Sequence, residues 1–81
     1  MRETKVRSRT LVRKDGEELH LRYTIVEEWG AYGVRVEKAD GECAELCDIT
    51  ASRERIEALF RMIWRGGVTP LSLRDIIEDW L

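Results

Sequence analysis

The sequence predicts an α+β fold: a four-stranded antiparallel meander followed by two C-terminal helices packed on one of its faces, in the order ββββαα. Three observations carry this. Apolar and polar residues alternate through much of the first fifty positions, as half-buried strands require. The period then changes. Ile56, Leu59, Phe60 and Ile63 fall three and four apart and make one apolar stripe on a helix. The gaps between the strand-like stretches are short, which favours hairpins over crossovers. The 81 residues are expected to form one domain, 1–81. A chain of this size buries only roughly 60–65% of its unfolded surface, so its core is small.

Each element has a local reason. Val6–Arg13 alternates loosely, is rich in Thr, Val and Arg, and reads as the first strand. Asp15-Gly16 marks a hairpin turn. Glu17–Glu28 is the clearest strand, with Leu19, Leu21, Tyr23 and Ile25 on one face and His20, Arg22, Thr24 and Val26 on the other. Trp29-Gly30 breaks the run. Tyr32, Val34 and Val36 then alternate with Gly33, Arg35 and Glu37, which puts Tyr23 or Ile25 beside Tyr32 or Val34. Gly33 leaves space for a cross-strand aromatic or a closely approaching partner.

After the turn at Ala39-Asp40-Gly41, the strand Glu42–Ile49 admits two registers. One places Cys43, Cys47 and Ile49 inward, with Glu45 interrupting. The other places Ala44 and Leu46 inward. A bulge would reconcile parts of both.

The first helix lies within Ile49–Arg65. Thr50 or Ser52 caps it, Glu57 and Arg61 support its solvent face, and Gly66-Gly67 ends it. Thr69 is placed as the cap of the second helix, with Pro70 at its first position and Asp75 toward its positive end. Leu73, Ile76, Ile77, Trp80 and Leu81 are its expected apolar face. The uncovered sheet face would carry His20, Arg22, Thr24 and Arg35.

Composition narrows the function classes. Apolar residues make up 43% and charged residues 37%, which is too apolar for a disordered chain. A formal net charge of −2 gives no general attraction to nucleic acid or an anionic membrane. No run approaches the roughly 18–20 apolar residues of a membrane helix, so no membrane partner is expected. Met1–Lys5 is followed by no hydrophobic stretch of the kind a signal peptide has, and the expected location is cytoplasmic. Cys43 and Cys47 on one strand would be about 13 Å apart, beyond the roughly 4.4–6.8 Å of a disulfide, so both thiols are expected to be free.

From Leu19–Glu28, through Tyr32–Val36, to Val68–Trp80, the chain resembles a small family of bacterial, Clostridia-type proteins catalogued as a domain of unknown function. Val68-Thr69-Pro70-Leu71-Ser72-Leu73-Arg74-Asp75-Ile76-Ile77-Glu78-Asp79-Trp80 is the most distinctive part. The resemblance implies a stand-alone domain with no assigned activity, and it transfers no catalytic residue.

No residue pattern points to catalysis. Two thiols and the single His20 fall short of a four-ligand metal set, and C-x-x-x-C is not a redox pair. His20 reads as a surface residue. Glu27-Glu28 and Glu78-Asp79 read as an acidic turn and helix surface, and Gly66-Gly67 lacks the sequel of a phosphate loop. No catalytic residue, cofactor or metal is expected. The leading reading is a non-enzymatic protein-interaction or regulatory module, with a homodimer among its forms. Trp29, Trp64 and Trp80 would supply buried surface, and Arg61 and Arg65 specificity. The alternative is a nucleic-acid-binding accessory domain. Arg7, Arg9, Arg53 and Arg61 would form its patch if the first strand and first helix adjoin near Trp64. A small enzyme ranks third.

Overall fold

The computed structural model describes all 81 residues. Four strands are followed by two helices: β1 (Arg2–Val12), β2 (Glu18–Glu28), β3 (Ala31–Lys38), β4 (Cys43–Thr50), α1 (Arg53–Gly66) and α2 (Pro70–Trp80). The strands lie in the order β1-β2-β3-β4, each antiparallel to its neighbour. This is the expected ββββαα meander.

Alternation in β2 and β3 builds the floor of the core. Leu21, Tyr23 and Ile25 share a face with Val34 and Val36, with Ile25 opposite Val34 and Tyr23 opposite Val36. The α1 stripe of Ile56, Leu59, Phe60 and Ile63 closes over them, joined by Leu73 and Ile77 from α2. Tyr23 is the one polar-tipped side chain in this set. Its hydroxyl donates to the Val68 carbonyl at 3.0 Å, which satisfies both groups under the α1–α2 connection.

The helix ends follow from the caps. Ser52, rather than Thr50, is the N-cap of α1: its Oγ accepts from the Arg55 amide at 3.2 Å. Thr50, the last residue of β4, instead accepts from the Ser52 amide two residues on. At the other end Gly67 takes a φ of 62°. Its amide donates to the Trp64 carbonyl and that of Val68 to the Ile63 carbonyl, the paired bonds of a Schellman stop. Thr69 occupies the N-cap position of α2 but makes no side-chain bond to the backbone there. Asp75 falls in the second turn, not the first, and Leu81 lies beyond the helix and is exposed, outside the apolar face.

Two strands differ from the sequence reading. β1 begins at Arg2 instead of Val6, because its register shifts between Glu3 and Lys5 and breaks the alternation that marks a strand. Past that bulge, Lys5, Arg7, Arg9 and Leu11 stand opposite Ile25, Tyr23, Leu21 and Leu19, on the helix-facing side. The charged row of β1 therefore points inward and Val6 and Val12 outward.

β4 takes the register that turns Ala44 and Leu46 inward; Cys43 and Cys47, inward in the other candidate, are exposed. Ala44 and Leu46 face inward opposite Val36 and Val34. A bulge follows, since Val34 stands opposite Leu46 but Tyr32 opposite Thr50, and within it Ile49 also packs against the core. Asp48 takes a φ of 57° at this bulge. Gly33 is required by it: a Cβ there would stand 2.3 Å from the Leu46 carbonyl oxygen. The close approach comes from the chain's own β4.

The uncovered face carries His20, Arg22, Thr24 and Arg35, as expected. Yet Thr24 is 0% exposed and Val26 is also buried. Arg35 donates to Glu3 on β1 at 2.8 Å and to Glu45 on β4 at 2.9 Å. The bridge to Glu3 passes across β2 and shields both residues.

Candidate binding groove between β1 and α1

The inward charges of β1 meet the C-terminal half of α1. A helix end leaves carbonyls without partners and carries a partial negative charge. Arg9 supplies both donors and charge: Nη1 donates to the Trp64 carbonyl at 2.7 Å and also to that of Arg65. Arg7 lies over the Trp64 ring with its guanidinium carbon 4.8 Å from the centroid. Lys5 stands 5.9 Å from the Phe60 centroid. The Trp64 indole N–H reaches back to the Ser8 carbonyl at 3.4 Å. Strand and helix are thus joined by cations on aromatic faces rather than by interlocking aliphatic side chains.

This joint leaves an open groove of about 140 Å³ lined by Lys5, Arg7, Glu57, Phe60, Arg61, Trp64 and Arg65. It continues past Lys5 and Glu57 into a second hollow of about 290 Å³, whose walls include Arg2, Glu27, Tyr32 and Arg53. The two halves differ electrically. In the second hollow Arg2 pairs with Glu27 at 2.5 Å and Arg53 with Glu57 at 3.8 Å. Around the first, Lys5, Arg7, Arg9, Arg61 and Arg65 form no ion pair. Elsewhere on the sheet Arg13, Arg22, Arg35 and Lys38 are all paired. The result is a cationic patch on a chain whose net charge is negative.

The residues singled out in the sequence separate into groups. Arg7, Arg9, Arg61, Arg65 and Trp64 come together here. Arg53 is committed to Glu57 near the start of α1. Trp80 is half-buried against Arg55, whose guanidinium carbon is 4.7 Å from the ring centroid, in the first turn of α1. Trp64 belongs to the last turn, so the two indoles lie toward opposite ends of the helix. Trp29 stands alone at the β2–β3 turn, 95% exposed. The three tryptophans do not form one surface. Lys5 was not singled out as a site residue. Its signal is the Lys5-x-Arg7-x-Arg9 spacing, which puts three cations on one strand face.

The remaining chemistry is dispersed. His20 Nδ1 is 3.1 Å from the Thr10 hydroxyl and Nε2 is 3.4 Å from Glu18. Cys43 and Cys47 are free and exposed. The Cys47 thiol donates to Glu45, which holds its pKa above the usual thiol value; burial and Glu37 do the same for Cys43. Neither is set up as a thiolate nucleophile at neutral pH. No group of three His, Cys, Asp or Glu side chains is arranged to hold a metal ion. No helix is long and apolar enough to cross a membrane.

Comparison with known families matches residues 2–81 to the model of a family of unknown function, DUF6514. No curated protein and no solved structure matches the chain. The family match extends through the basic first strand, beyond the Leu19–Trp80 stretch that carried the resemblance.

Proposed function

The chain belongs to DUF6514, a family of unknown function, and we propose that it is a non-enzymatic interaction module that binds an acidic segment of a partner protein in the β1–α1 groove. The observation that carries this reading is the set of cations without ion-pair partners at one groove: Lys5, Arg7, Arg61 and Arg65. A carboxylate entering there meets Arg7 on the face of Trp64, Lys5 beside Phe60 and the exposed guanidinium groups of Arg61 and Arg65, all able to make charge-assisted bonds.

A protein segment fits better than a nucleic acid strand. Single-stranded binding uses free aromatic faces for base stacking. Here Arg7 already covers Trp64, and Phe60 is buried. Of the four arginines first assigned to a nucleic-acid patch, Arg9 is bound to the end of α1 and Arg53 stands at the start of that helix, 3.8 Å from Glu57. A homodimer through this groove would bring like charges together, so the partner is a different protein. We place the module in the bacterial cytoplasm, on its resemblance to Clostridia-type sequences and its two free thiols.

Amide chemical-shift mapping tests the reading. The labelled domain is titrated with an oligoglutamate peptide and, separately, with a single-stranded RNA of matched length. The expected result is peptide-induced shifts at Lys5–Arg9 and Arg61–Arg65 that fade as salt rises. Tighter binding of the RNA at the same residues would replace this proposal with the nucleic-acid reading.

A further inference from the structure

We propose that the partner segment is added to the free edge of β1 as a fifth strand, with acidic side chains at alternate positions. This rests on the reading of the groove above and specifies how the segment lies in it. β1 is an edge strand of eleven residues whose outer side no other strand covers.

The hydrogen-bond parity shows which backbone groups are free. The Ala39 amide donates to the His20 carbonyl at 3.1 Å, so the even-numbered residues of β2 bond toward β3. The odd-numbered ones are left for β1, and the Arg13-to-Glu17 bond at 2.8 Å continues that pattern. Lys5, Arg7, Arg9 and Leu11 therefore exchange backbone bonds with β2. The amides and carbonyls of Val6, Ser8, Thr10 and Val12 point away from the sheet. The Ser8 carbonyl does so visibly, since it accepts the Trp64 indole N–H.

A strand laid on this edge sits about 4.8 Å from β1, and its side chains follow the same pleat. Those on the helix side fall beside Lys5, Arg7 and Arg9, below Arg61 and Arg65. Only acidic side chains complement that position. Those on the other side fall beside Val6, Ser8, Thr10 and Val12, of which Val6 and Val12 are exposed. Valine, isoleucine or threonine suits them. The recognised pattern is acidic and β-branched residues in alternation. A second copy of β1 is excluded as the occupant, because antiparallel self-pairing would set one Lys5-Arg7-Arg9 row against another. Inward charges of this kind are a known guard against edge-to-edge association. As the strand docks it takes the Ser8 carbonyl from Trp64, so the indole N–H is a built-in reporter.

The test uses synthetic peptides of about seven residues, long enough to span the free edge. One alternates Glu and Val. A second has the same composition with Glu and Val in separate blocks. A third is the alternating peptide N-methylated on the amides that would pair with β1. Binding is read by anisotropy and by the Trp64 indole N–H resonance. The expected result is that the alternating peptide binds at least tenfold more tightly than either of the others and alone shifts the indole signal. Equal binding of all three would overturn strand addition while leaving the charged groove as the site. Absence of binding by all three would overturn the groove reading itself.

Discussion

Arg9 and Trp64 are joined across most of the chain: a side chain on the edge strand donates at 2.7 Å to a carbonyl in the last turn of α1, which also accepts the Gly67 amide. The edge strand and the end of the helix are tied together at this point, beside the groove that Arg7 and Trp64 line. Replacing Arg9 removes the donors and the charge at once. Arg9→Leu is expected to lower stability by about 1–3 kcal/mol, the range for a charge-assisted bond at a helix end. Arg9→Lys restores charge without the planar two-acceptor reach and should recover only part of it. Denaturant unfolding of the three proteins checks both statements. A neutral Arg9→Leu variant would mean that the helix end is held by packing alone.

Tyr23 is the second polar anchor. Tyr23→Phe keeps the ring but leaves the buried Val68 carbonyl without its donor, at a cost of about 1–3 kcal/mol. The pH dependence is specific too. Burial raises the Tyr23 pKa above its ordinary value of 10.0, against the opposing pull of Arg9. A folded-state pKa above the unfolded one contributes stability that is complete below about pH 10 and is lost as pH rises through the folded value. The wild type should therefore lose stability above pH 10 more steeply than Tyr23→Phe, as thermal unfolding across alkaline pH would show. Parallel slopes would contradict the assignment.

Trp29 sits where its side chain gains nothing. It has a φ of 55° and is followed by Gly30 at 79°. Two successive positive values fit the tight hairpin turn that favours Asn-Gly. A bulky residue is strained there, and this one is almost wholly exposed. Trp29→Asn should raise stability by about 1 kcal/mol and leave acidic-peptide binding unchanged, because the turn lies outside the groove. A loss of stability would show that the indole makes contacts of its own.

Thr24 is fully buried, and its hydroxyl has no hydrogen-bond partner. Such a group costs about 1–3 kcal/mol in lost solvation. Thr24→Val replaces it with a methyl group of the same shape and suits a strand. The variant is expected to unfold at a higher temperature than the wild type. A lower transition would place an ordered water on that hydroxyl.

The fold was legible because β2, β3 and α1 each keep one period from end to end. Leu21, Tyr23 and Ile25 need no tertiary information to share a face, nor do Ile56, Leu59 and Ile63. The turns at Asp15 and Asp40 were equally open to reading: each carboxylate accepts the amide two residues on, at 2.9 Å. What resisted was every place where a bulge resets the period. The shift between Glu3 and Lys5 hid the start of β1, and the one before Thr50 let Ile49 pack on the core beside Ala44 and Leu46.

The groove was half legible. Basic residues of β1 and α1 with Trp64 were seen as a patch that required the two elements to adjoin. That Arg7 would cover the Trp64 ring, and that Trp64 and Trp80 would lie toward opposite ends of α1, depends on how the helices cross the sheet. Residue spacing along the chain does not encode that. Thr24 and Val26 were placed on the solvent face by alternation. They are buried by the Glu3–Arg35 bridge, which connects residues 32 positions apart.

The most direct measurement is the affinity of the alternating acidic peptide for the wild type and for the Arg61→Glu, Arg65→Glu double variant, at low and at physiological salt. Both positions are exposed on α1, so the fold should survive the change. The account predicts a loss of at least tenfold in affinity on charge reversal and a steep weakening of the wild-type complex with salt. Equal affinity for the two proteins at both salt concentrations would contradict it and move the binding surface away from the β1–α1 groove.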